Sequence, residues 1–108
     1  MSNVSGPGSV SPSDMVKYKE EFQKSVSIFQ ESLDGYATTD GMGKKEMFRK
    51  AMSESLNVMD QLSPIFSKEI QKQKEALHND LSSYQEAASP EGLNKLHSDI
   101  DSLKKSLK

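Results

Sequence analysis

The chain of 108 residues has no cysteine and no tryptophan. Without cysteine, neither disulfides nor thiolate-bound metals can hold it together, which suits a reducing compartment. An excess of either charge is also missing. Fourteen basic residues face sixteen acidic ones, for a formal net charge of −2. That is too near neutral for a surface shaped to nucleic acid or to an anionic membrane. No apolar run approaches the roughly 20 residues of a membrane span. The first twelve residues lack the apolar centre of a secretory signal. The expected location is therefore the cytoplasm, or outside the cell by a signal-peptide-independent route.

Core-forming residues are scarce too. Leu, Ile, Val and Phe together number 22, close to the roughly 20 % of a chain below which folding into a core becomes doubtful. Six methionines, flexible and adaptable packers, add to them. A thin core in a single domain of this length often completes its burial against another chain.

What is present is helical rhythm. From Lys44 to Ala88 the pattern is that of an amphipathic helix with one break at Ser63-Pro64. Phe48, Met52, Ser55, Met59, Leu62 and Phe66 recur at spacings of 4, 3, 4, 3 and 4. Ile70, Gln73, Leu77, Leu81, Tyr84 and Ala88 continue the rhythm. Such spacing gathers side chains on one helical face. A second seam of Met47, Ala51, Val58 and Ile65 widens that face before the break, as expected for a helix touching two neighbours. Pro64 can open a new helix after a Ser63 cap, or kink a continuous one. The stripe keeps phase across the break, which favours a kinked or closely abutted pair over a full reversal.

Met1 to Pro12, with Gly6, Pro7, Gly8 and four serines, has no periodicity and reads as a disordered tail. A first helix is expected over 13–34, capped by Ser13. Its stripe is Met15, Tyr18, Phe22, Val26, Phe29 and Leu33, with Val16 and Ile28 off it. Asp34-Gly35 should stop it, with Gly35 taking the left-handed position. Gly35 to Gly43 then forms the main loop, too poor in context for a phosphate-binding fingerprint. Further helices are expected over 44–62, 64–88 and 90–107. Ser89-Pro90-Glu91 is a start signal at which the chain should reverse. Leu93, Leu96, Ile100, Leu103 and Leu107 follow at heptad spacing. The expected fold is all-α: one antiparallel helical hairpin or bundle of three to four helices over 13–108, behind a disordered N-terminal tail.

Chemistry-bearing constellations are weak. His78 and His97 lie far apart, without a ligand at helical spacing, so no metal site is implied. Carboxylates abound, but none is flanked by apolar residues that would raise its pKa. Eighteen serines make any Ser–His–Asp reading a coincidence. Lys44-Lys45 with Arg49-Lys50, diluted by Glu46 and Glu54, reads as a solvated helix start. The methionines at 42, 47, 52 and 59 read as core filler ahead of an adaptable partner groove. No cofactor, small-molecule substrate or nucleic acid is implied, and an enzyme is not expected.

Leu81, Tyr84, the Ser89-Pro90 turn, Leu93, Leu96 and Ile100 resemble the helix–proline turn–helix hairpin of type III secretion needle and inner-rod proteins. The resemblance covers about 25 residues, from Leu81 onwards. It implies a self-associating or accessory subunit of a bacterial type III secretion apparatus. The first two helices exceed what that family's pattern needs, which places the chain at its margin. The expected function is a helical interaction or structural protein that binds a protein partner or itself. The alternative is a small chaperone or adaptor holding a partner helix in a Met-lined groove. Candidate interaction residues are Met47, Met52, Met59, Leu93, Leu96, Ile100 and Leu103.

Overall fold

The computed structural model describes residues 11–107, and its first described residue is already a helix cap. Of the expected tail over 1–12, residues 1–10 lie outside the described residues, as does Lys108, whereas Ser11 and Pro12 belong to the start of the first helix. Ser11, rather than Ser13, accepts the Asp14 amide on its Oγ at 3.3 Å, and Pro12 takes the first helical position. Proline fits there because its missing N–H would have had no partner. Four helices follow: α1 (Pro12–Thr38), α2 (Met42–Leu62), α3 (Lys68–Glu86) and α4 (Pro90–Ser106). A short 3-10 turn occupies Ser63–Ile65. No strand occurs among the described residues.

Helix α1 does not stop at Gly35. It runs on to Thr38, where the Thr38 hydroxyl donates to the Asp34 carbonyl at 2.8 Å and the Thr39 amide to Gly35 at 3.0 Å. The expected nine-residue loop shrinks to Thr39–Gly41, in which Thr39 Oγ1 accepts the Gly41 amide. Gly35 stays inside the helix for a packing reason. A Cβ built there would lie 2.5 Å from Cζ of Phe48 in α2. Ser25 and Ser32 share that face of α1 and are buried, as is Ser55 on α2. Small residues along this seam let the two helices approach closely, and α1–α2 is the most extensive helix pair in the molecule.

The second correction concerns Ser63-Pro64. The chain reverses here, and α3 starts at Lys68 rather than at Pro64. Phe66 and Ser67 are extended, and Ser67 Oγ caps α3 by accepting the Ile70 amide at 3.3 Å. Asp60 near the end of α2 meets Lys74 and His78 of α3, which requires the two helices to run antiparallel. The third connection follows the expectation. Ser89 accepts the Gly92 amide at 3.0 Å, Pro90 opens α4, and the chain turns back along α3.

The result is an up-down-up-down four-helix bundle. Each helix contacts its two neighbours in the ring α1–α2–α3–α4–α1, and the diagonal pairs stay apart. An extent of 52 × 24 × 20 Å suits a two-by-two array of helices spaced 8–10 Å. The stripes meet in one core. Phe22, Val26, Phe29 and Leu33 face Met52, Met59, Leu77, Leu96, Ile100 and Leu103, all fully buried. Leu56, outside both seams read from the sequence, is buried as well. Val16, Ile28, Met47 and Val58 remain exposed, so the second seam of α2 is not covered along its length. Phe66 packs edge-on against Phe22, with ring centroids 5.3 Å apart, and so ties the reversal to α1. Tyr36 and Tyr84 make a second edge-on pair at 6.2 Å.

Candidate interaction groove

The ring of helices is uneven. The pairs α1–α2 and α3–α4 pack extensively, whereas α2 and α3 approach each other only sparsely. An open groove of about 480 Å³ is left between them. Leu56 and Leu81 form its floor, and Arg49, Lys50, Asn57 and Ser82 stand among its rim residues. Both leucines belong to the core, so the floor continues the bundle interior outward.

Polar groups define the two ends. At one end, the Asp60 carboxylate receives Lys74 Nζ at 2.9 Å and faces His78 Nε2 at 3.1 Å. Burial alone would raise the Asp60 pKa. The hydrogen bond from Lys74 and the charge of His78 outweigh it, and the carboxyl is held below its ordinary value. At the other end, Arg49 grips Glu46 through both Nε and Nη2. That pair is exposed and screened, so it shapes the rim more than it stabilises the fold. Beside it, Lys45 sits 4.8 Å above the Tyr36 ring. The basic cluster at the start of α2 is thus partly engaged by an acid and an aromatic face.

Neither histidine is an isolated surface group. His78 joins α3 to α2 through Asp60, and His97 joins α4 to α1 through Asp34 at 2.9 Å. Each therefore spans one of the two sparsely packed seams. The α1–α4 seam also has Lys104 on Gln30 and the Gln23 amide on the Leu107 carbonyl. Among the described residues, no group of three or more His, Asp or Glu is placed to hold a metal ion. No serine hydroxyl among them is hydrogen-bonded to a histidine.

Of the seven candidate interaction residues, five are core. Met52, Met59, Leu96, Ile100 and Leu103 have no exposed surface, and Leu93 is half-buried against them. Closing the ring turns each stripe inward, so these side chains form no surface in the folded monomer. Met47 alone is exposed, at 72 %, and it lies outside the groove lining. The sequence reading missed the groove because its walls come from helices whose relative position depends on the reversal at Ser63.

The expectation that no carboxylate has a raised pKa also fails. Asp99 on α4 is half-buried against Asp80 of α3. Burial first, then the neighbouring Asp80 carboxyl, pushes Asp99 up to about 7, against a smaller opposing effect from Lys95. Helical spacing alone could not have revealed this, because the two acids meet only across the hairpin.

Among the described residues, no helix is long and apolar enough to cross a membrane. No protein-family model, curated protein or solved structure matches the chain.

Proposed function

We propose that the protein is a non-enzymatic helical interaction protein whose α2–α3 groove receives an amphipathic helix of a protein partner. The observation that carries this reading is the groove itself. It has an apolar floor of Leu56 and Leu81 and a rim of hydrogen-bonding and charged side chains. Helix-in-groove recognition uses that combination: apolar anchors seat on the floor and polar neighbours fix register. The setting proposed is a bacterial type III secretion apparatus. The Ser89-Pro90 hairpin, on which the resemblance to needle and inner-rod proteins rests, supports that setting. The α4 stripe is consumed inside the bundle, which favours an accessory, chaperone-like or adaptor role over packing on further copies through that stripe. A Met-lined groove is not part of the reading, since Met52 and Met59 are core.

Site-specific photocrosslinking tests it. A photoreactive residue at Ser53 or Ser82, both exposed in the groove lining, should capture one defined helical segment, from a partner or from a second copy. The same probe at Glu31, exposed on α1, should not. Equal capture from all three positions, or none from the groove, overturns the reading.

A further inference from the structure

The strongest unresolved chemistry lies away from the groove, on the far side of the α3–α4 hairpin. Asp80 and Asp99 come from antiparallel helices and face each other there. Two carboxylates in contact repel, and the cost is greater where water is thin. The side chain of Asp80 is only 15 % exposed. Asp99 Oδ2 is buried, and no donor among the described residues reaches it. A buried carboxylate oxygen without a donor is costly, and native structures seldom retain one. Among the described residues, the cation at the pair is Lys95, whose Nζ lies 3.4 Å from Asp80 Oδ1. The lysine thus bonds to Asp80 and offsets the charge of Asp99 only in part.

One change of state removes both difficulties. If Asp99 carries a proton, it becomes a donor to Asp80, and only one charge remains, next to Lys95. We infer that Asp80 and Asp99 share a proton that clasps α3 to α4, making the hairpin tighter in mildly acidic than in alkaline solution. The arrangement is that of any two carboxyls held too close to ionise together. The groups facing Asp99 are few. From α3 comes Asp80, and from the preceding turn of α4 itself comes Lys95. Helix α1, the other helix packed on α4, sends Asp34 to His97 and Gln30 to Lys104 instead.

The sign of the effect follows from linkage. Asp99 is raised from 3.8 to about 7 in the folded chain. Above pH 4 the unfolded chain releases this proton while the folded chain keeps it. Stability from this group is therefore fully present below about pH 4, falls as pH rises, and levels off above about 7. An ordinary ion-paired carboxylate behaves in the opposite way.

Two measurements on the full chain decide the matter. The side-chain carboxyl ¹³C shift of Asp99, followed by NMR from pH 3 to 9, should titrate with a midpoint near 7. A midpoint near 4 overturns the inference, and this readout needs no variant. Thermal melting of the wild type and of Asp99→Asn should then be compared at pH 5 and pH 8. An asparagine keeps the shape and can donate to Asp80 at every pH. The wild type should lose more melting temperature than the variant between those values. Both proteins keep His78 and His97, so histidine titration cancels in the comparison. Equal losses in the two proteins overturn the clasp, and a variant that fails to fold leaves the NMR midpoint to decide.

Discussion

The ring of Phe48 fills the space that a side chain on Gly35 would need. All three ring carbons nearest that point lie within 2.8 Å of where a Cβ would stand. Glycine inside a helix is unfavourable by roughly 1 kcal/mol relative to alanine. Its position in α1 is explained by this contact and not by any turn. Gly35→Ala should therefore destabilise the bundle, by about 1–3 kcal/mol as overpacked sites do. In a Phe48→Leu background the same change should be neutral or stabilising. Urea unfolding of the four proteins in the cycle measures the coupling, and additive effects would contradict the contact.

Leu96 lies fully buried in the core, between the Leu93 and Ile100 turns of α4. Leu96→Asp would place a carboxylate in that core without a partner, a change among the most damaging known for single residues. The variant should lose helicity at 222 nm and melt early. A variant that kept its melting temperature but lost native mass would show that the stripe serves assembly instead.

Pro64 sits at the start of the 3-10 turn within a real reversal. There its fixed φ restricts the unfolded chain and suits the folded one. Pro64→Ala should thus lower stability by about 0.4–1 kcal/mol. A rise in melting temperature would mean that α2 and α3 gain from being continuous, against the antiparallel arrangement.

Asp60 predicts an acid limb of opposite sign to that of Asp99. Its folded pKa lies below the ordinary 3.8, so its contribution is present above that value and is lost as pH falls through the folded pKa. Asp60 is more than a third exposed, which limits the size of the effect. Asp60→Asn should flatten the fall in melting temperature below about pH 4. An unchanged acid limb would show that the Lys74 and His78 contacts are too solvated to matter.

The features that could be read from the sequence were local ones. Phe22, Val26, Phe29 and Leu33 recur on one helical face, and that pattern alone placed them in the core. Leu96, Ile100 and Leu103 were as plainly periodic, but they read as a candidate interaction surface, and the closed ring buries them. The Ser89-Pro90 start of α4 was equally plain, because cap and proline act within one turn. Gly35 was misread because its reason lies 13 residues away, in Phe48. The reversal at Ser63 was misread because phase is uninformative there. Leu62, Phe66 and Ile70 face one shared core whether the helices continue or fold back. Asp80 with Asp99, and each histidine with its aspartate, meet only once the register between helices is set. The groove has the same origin, so the candidate site was the least legible part.

The ring of four helices also carries an order of events. Three of its seams join helices that follow one another across connections of only a few residues, so closing them costs little chain entropy. The α1–α4 seam is different: Gln23 and Leu107, which it brings together, lie 84 positions apart. A bundle with mostly short-range contacts is expected to fold fast, with the long closure coming last. That seam is sparsely packed and closes the longest loop, with Gln23, Gln30 and Asp34 of α1 making polar contacts to α4, so it should also part early. Native-state hydrogen exchange should accordingly find the lowest opening energies at the two ends of the described chain, where α1 begins and α4 finishes, while the α1–α2 pair holds its protection longest.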